Sequence, residues 1–308
     1  MHSIFDALLL RAKVKPALRV AVVHPCDALT LESLVAAVKE GLINPLLVGP
    51  EAKIRKAAQE AGLDPLPWPI IDTPHSHASA DAAMALVREG KAEAVMKGSL
   101  HTDELMSAVI NPANGLRTER RVSHCYVMAT HHHTEPLLVT DAAINIAPNL
   151  HEKADIVQNA IDLAHAIGLS EVRVAVLSAT EMVNPAIQST LDAASLCKMA
   201  DRGQITGALI DGPLALDNAI DMGAVAQKHI VSDVAGRANV LVVPDIEAGN
   251  ILAKTLSFMA HAEAAGIVVG ARVPVILTSR ADTLESRVVS CALARLLAEV
   301  RVFKGVGK

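Results

Sequence analysis

The stretch VPVILTSRADTLESR, Val273–Arg287, carries an apolar, β-branched run into Thr278-Ser279-Arg280, places an acidic residue two positions further on, and then turns to a helical pattern. A strand that ends on polar residues and feeds directly into a helix is the βα unit of a parallel sheet, in which ligands lie beyond the carboxyl ends of the strands. The same rhythm extends toward the amino end. LRVAVVHP is followed by TLESLVAAVKEGL, NPLLVGP by EAKIRKAAQEAGL, and HASADAAMALVREG leads into the short run AEAVMKG. VRVAVLSA, ITGALIDGP and NVLVVPD repeat it, so about eight parallel strands with intervening helices are expected. One segment departs from this: RRVSHCYVMATHHHTEPLLVTDAA sets two β-rich runs around a polar tip, the pattern of an antiparallel hairpin. Beyond it, Pro148-Asn149 stops one element and starts a long amphipathic helix, and a first domain boundary is placed near Asn145.

Composition agrees with an α/β interior. Hydrophobic residues make up 51% of the 308 positions and aromatics only 2%, so the core must be built from Ala, Val, Leu and Ile. A formal net charge of -5 gives no basic footprint for nucleic acid. The chain has neither a membrane-length apolar run nor a leader with a small-residue cleavage site, so a soluble, cytoplasmic protein without membrane or nucleic-acid partners is expected. Cys26, Cys125, Cys197 and Cys291 are far apart, which favours buried free thiols over zinc ligands or a disulfide framework.

The residues following each strand hold the candidate chemistry. After AEAVM come Lys97, Gly98, Ser99, His101 and Thr102: a glycine that lets backbone approach a ligand, with donors suited to an anion at a helix start. Thr102 could equally cap the helix, with Asp103 and Glu104 complementing its dipole. Asp211 follows ITGALI and could simply form a turn before Gly212-Pro213; Asp245 shares its loop with Glu247, Gly249 and Asn250. Arg280 offers a planar fork for phosphate or carboxylate, and Ser279 a hydroxyl beside it. Asp282 could act as a base or cap the next helix. His131-His132-His133 reads as a solvated hairpin tip, because consecutive side chains point different ways. HExxH, Walker A, GxSxG and complete GxGxxG motifs do not occur.

Taken in order, VMKGSLHTDELMSAV, LLVTDAAINIAPNL, VAVLSATEMVNP, KMADRGQITGALIDGPLALDNAI, ANVLVVPDIEAGNILAKTL and GARVPVILTSRAD resemble the phosphate acetyl/butyryltransferase family over nearly the whole chain. The Lys97 block and the short length resemble its butyryltransferase branch. The resemblance implies two α/β domains with mainly parallel sheets flanked by helices, an architecture like that of isocitrate and isopropylmalate dehydrogenases, with the active-site cleft between domains. Residues 1–144 plus 266–308 would form the first domain and 145–265 the second. The implied reaction moves a short acyl group, acetyl or butyryl, between coenzyme A and inorganic phosphate to give an acyl phosphate. No resident cofactor or metal is implied, and the usual assembly is a homo-oligomer.

Carried onto this sequence, the resemblance implies that Arg280 holds phosphoryl oxygens and Ser279 the acyl carbonyl. The substrate-binding set is Lys97, Gly98, Ser99, His101, Thr102, Asp141, Asn145, Asp211, Asp245 and Asn250. Acetyltransferases of the family place their proposed base aspartate where this chain has Glu285 and Ser286, so Asp282 is the first candidate base and Glu285 the second. Arg117, Arg120 and Arg121 lie in the segment from which first-domain arginines reach substrate phosphates. Two other readings compete: a metal- and NAD-dependent decarboxylating dehydrogenase using Asp211 and Asp245, and a non-catalytic acyl-CoA-sensing domain.

Overall fold

A computed structural model describes residues 3–131, 133–279 and 282–303, with side chains through Glu299. The chain divides into two compact units, one of Ser3–Val122 with the chain from Ala265 onward, the other Ser123–Ala264. Elements follow in order: α1 (Ser3–Lys13), β1 (Leu18–Val23), α2 (Ala28–Lys39), β2 (Ile43–Gly49), α3 (Glu51–Glu60), β3 (Ile70–Asp72), α4 (Ser76–Arg88), β4 (Ala94–Lys97) and α5 (Thr102–Val109). The second unit holds β5 (Ser123–Ala129), β6 (Leu137–Thr140), α6 (Leu150–Ala166), β7 (Arg173–Leu177), α7 (Gln188–Asp201), β8 (Leu209–Leu214), α8 (Leu216–Ile220), α9 (Met222–Gln227), β9 (Val240–Val242) and α10 (Ile246–Phe258). The chain then returns through β10 (Glu263–Val269), β11 (Val275–Ile276) and α11 (Leu284–Phe303).

In the first unit the strand order is β3-β2-β1-β4-β11-β10. All neighbours are parallel except β10 with β11. Val20, Ala21, Val22 and Val23 of β1 are fully buried, as expected of a central parallel strand covered on both faces. The chain moves outward from β1 to β2 and β3, then crosses back to lay β4 on the other side of β1. Strand order therefore reverses between β1 and β4, where adjoining loops splay apart and leave a crevice for a ligand.

Three elements escape the sequence pattern. The run behind β3 is only three residues long, and β10 stands antiparallel with no helix between it and β11. Helix α1 buries Ile4, Phe5, Leu8, Leu9 and Ala12 against α11, although its sequence looks like an apolar run broken by charge.

In the second unit the order is β5-β6-β9-β7-β8. The hairpin forms as expected, β5 antiparallel to β6, and β6 then pairs in parallel with β9. That pairing places the hairpin with the second unit, so the units divide between residues 122 and 123, ahead of the expected boundary at Asn145. Helix α6 starts where Pro148-Asn149 indicated: Asn149 accepts from Glu152 N at 3.0 Å and Glu152 returns the bond to Asn149 N at 3.0 Å.

One step into α6, Lys153 donates to Asp192 of α7 at 2.6 Å, with side-chain exposures of 7% and 8%. Removing one member of such a pair strands a buried charge, whereas replacing both with apolar groups does not. Lys153→Met is expected to cost roughly 3–5 kcal/mol by chemical denaturation, and Lys153→Met with Asp192→Leu to recover most of it. Equal losses in the single and double variants would show that the pair contributes more than it costs to bury.

Candidate active site

The loops after β1, β4 and β11 converge beside the point of strand reversal. At the end of β1 the chain turns through His24 at φ 55°, a left-handed value that few non-glycine residues adopt. The turn is held from the β4 side: Gly98 N donates to Val23 O at 2.9 Å, Ser99 N to His24 O at 3.0 Å, and Ser99 Oγ to His24 O at 2.8 Å. A Cβ on Gly98 would stand 2.4 Å from Val23 O and 2.6 Å from His24 O. Glycine is required by this close approach of two backbones. Asp27 then caps α2, accepting from Thr30 N at 2.8 Å and Thr30 Oγ1 at 2.6 Å.

The β11 loop is shaped by charge. Ser279 N donates to Asp282 Oδ2 at 2.6 Å, and Arg287 Nη2 donates to Ser279 O at 2.8 Å. Asp282 does not cap α11, because the hydroxyl of Thr283 accepts from Ser286 N at 3.2 Å instead. Burial pushes the Asp282 carboxyl above the ordinary carboxylate range, opposed by the bond from Ser279 N and the charges of Arg287 and Lys97. A cavity of about 350 Å³ lies among Asp27, Thr30, Lys97, Gly98, Ser99, Thr278 and Arg287, within the range of small-ligand sites.

Of the predicted residues, Lys97, Gly98, Ser99, Ser279 and Asp282 therefore meet in one place. Arg280 lies outside the described residues, as does His132. Glu285 is exposed on the first turn of α11. His101 and Thr102 open α5, but the capping expectation for Thr102 fails: His101 occupies the cap position and its side chain makes no capping bond. His131 is exposed, and the Thr130 hydroxyl lies 2.8 Å from His133 Nδ1.

The remaining candidates lie in the second unit. Asp141 accepts from Ala143 N, Ile144 N, Asn145 N and, at 2.6 Å, Asn145 Nδ2, so both side chains build the loop after β6. Asp245 caps α10 through Ala248 N at 2.8 Å, and Asn250 Nδ2 reaches Ala142 O at 3.4 Å. These four residues form a second cluster. Asp211 does not follow its strand: β8 continues through Gly212-Pro213 to Leu214, which an edge strand tolerates, and the carboxylate accepts from Gly212 N at 2.8 Å.

Arg287 is the residue that sequence reasoning overlooked. It closes the decisive stretch but looks like an ordinary helix position, and only the fold shows it 4% exposed behind Ser279. Burial raises every thiol; Cys26, at the end of β1, is pushed up to about 11, so it stays protonated at neutral pH. Among the described residues no His, Cys, Asp and Glu group suited to a metal occurs, and no helix is long and apolar enough to cross a membrane.

A family model described as phosphate acetyl/butaryl transferase matches residues 75–295. The chain is 58% identical to a phosphate acetyltransferase of Rhizobium meliloti, over 97% of its own length and 95% of the relative's. It is 42% identical to a phosphate butyryltransferase of Clostridium acetobutylicum, over 97% and 99% of the two chains. The crystal structure of a branched-chain phosphotransacylase from Enterococcus faecalis superposes with a TM-score of 0.80 at 30% identity, covering 91% of this chain and 99% of that one. A reversal-point cavity lined by a buried lysine and arginine, in a chain with these relatives, has one reading: the chain belongs to the phosphate acetyl/butyryltransferase family.

Proposed function

We propose that the chain transfers a short acyl group reversibly between coenzyme A and inorganic phosphate, in a ternary complex with no covalent enzyme intermediate. The observation that carries this reading is the meeting of Lys97, Gly98 and Ser99 with Thr278 and Arg287 around one cavity beside the point where the strand order reverses, with Asp282 close to both cations. In the direction of acyl-CoA synthesis, the coenzyme A thiol attacks the acyl carbonyl of the acyl phosphate, its proton passes to a base, and phosphate leaves. A thiol with a pKa of about 8.5 gains from a nearby carboxylate acceptor. Asp282, drawn toward neutrality by burial, is assigned that role, with Glu285 in reserve. Ser279 is assigned to the carbonyl oxygen as negative charge grows there, and Arg280 to the phosphoryl oxygens.

The higher identity to the acetyltransferase supports acetyl as the preferred group. A cytoplasmic location and a homo-oligomeric state, dimer or larger, belong to the same proposal. Unpaired cysteines suit a reducing compartment. Thiol release from a series of acyl-CoAs, acetyl to octanoyl, with and without phosphate, tests the reading. Phosphate-dependent release is expected, with the highest kcat/KM for acetyl-CoA. Binding of acyl-CoA without phosphate-dependent release would leave only the sensing function.

A further inference from the structure

We infer that Arg287 binds the phosphoryl group in the cavity beside β1 and β4. The inference rests on the proposed acyl transfer for the identity of the anion. A guanidinium taken out of water costs several kcal/mol unless its charge is answered. Arg287 is 4% exposed, and the direct partner of its guanidinium, Ser279 O at 2.8 Å, is a neutral carbonyl. Its Nε–H finds no acceptor among the described residues.

The surroundings add positive charge. Lys97, 7% exposed, lines the same cavity, and the amino end of α2 faces it through Asp27 and Thr30. Asp27 lines the same cavity, its two oxygens accepting from Thr30 N and Thr30 Oγ1. Asp282 sits close enough for both cations to act on its carboxyl, which sets one negative charge between two positive ones. A pocket with two buried cations, a helix amino end and the hydroxyl of Thr278 is complementary to a compact oxyanion such as phosphate.

Calorimetric titration with inorganic phosphate alone, without coenzyme A, reads this site independently of turnover. Arg287→Lys keeps the charge and loses the fork, so phosphate binding is expected to weaken about tenfold or more. The KM for phosphate should rise in parallel while the KM for acetyl-CoA stays within about twofold, since only one substrate loses a contact. An arsenate-soaked crystal of the unaltered protein should show an anomalous peak within hydrogen-bonding reach of the Arg287 guanidinium, and this result stands even if the variant does not fold. Unchanged phosphate affinity in folded Arg287→Lys, a selective rise in the acetyl-CoA KM, or an arsenate peak elsewhere would each reduce Arg287 to a clamp on the Ser279 loop. Absence of phosphate-dependent thiol release with normal phosphate titration would instead overturn the acyl-transfer reading and leave the anion site standing.

Discussion

Asp282→Asn is expected to lower kcat by roughly 10²–10⁴-fold with little loss of thermal stability. The carboxylate does two things in the structure: it accepts from Ser279 N at 2.6 Å, and it places a negative charge beside Arg287 and Lys97. Asparagine retains an acceptor oxygen for Ser279 N and removes the charge, so the loop keeps its shape while proton transfer is lost. The direction of the pKa shift fixes the stability effect. A carboxyl whose folded pKa lies above its unfolded value holds its proton more tightly in the native state, so wild-type stability falls as pH rises from about 4 through the folded pKa. The variant escapes that fall, and its Tm relative to wild type should increase over the same interval. The acid limb of the wild-type kcat/KM profile should also flatten in the variant. Near-normal turnover with a lower Tm at neutral pH would make Asp282 a structural clamp. A slow Glu285→Gln enzyme beside a normal Asp282→Asn enzyme would move the base to Glu285.

The sequence discloses the site's parts more readily than their arrangement. Runs such as LRVAVV and AEAVM announce buried parallel strands because their composition is set by burial on both faces, and Lys97-Gly98-Ser99 and Thr278-Ser279 follow them directly. What periodicity does not encode is strand order. The order β3-β2-β1-β4 brings the loop after β1 to the loop after β4, although 75 positions separate His24 from Ser99. The left-handed turn at His24 and the burial of Arg287 follow from that juxtaposition and leave no local signal. Asp211 misleads for a related reason: Gly212-Pro213 reads as a turn, yet β8 is an edge strand that carries both residues through to Leu214. Asp141 and Asn145 are part of a motif that looks like a binding loop, and their side chains are engaged in building it.

Gly98→Ala is expected to destabilise the first unit by roughly 3 kcal/mol or more, as overpacking against unyielding neighbours does. The added methyl would lie 2.4 Å from Val23 O, 2.6 Å from His24 O and 2.7 Å from His24 C, all of them backbone atoms that cannot rotate away. Relief requires the end of β1 to separate from the β4 loop, which breaks the bonds from Gly98 N to Val23 O and from Ser99 N to His24 O. His24 already sits at φ 55° and has few alternative conformations open to it. Turnover should fall with stability, because the same movement displaces Lys97 and Ser99 from the cavity wall. Gly41→Ala supplies the comparison: Gly41 has φ 73°, and a methyl added there would meet nothing within 4 Å, so its cost should be confined to the left-handed backbone, about 1 kcal/mol. Chemical denaturation of the two variants separates steric crowding from backbone strain. A Gly98→Ala protein no less stable than Gly41→Ala, with phosphate-dependent activity intact, would mean that the crossing of the β1 and β4 loops is loose, and the cavity would lose the rigid wall on which the assignments of Lys97 and Ser99 depend.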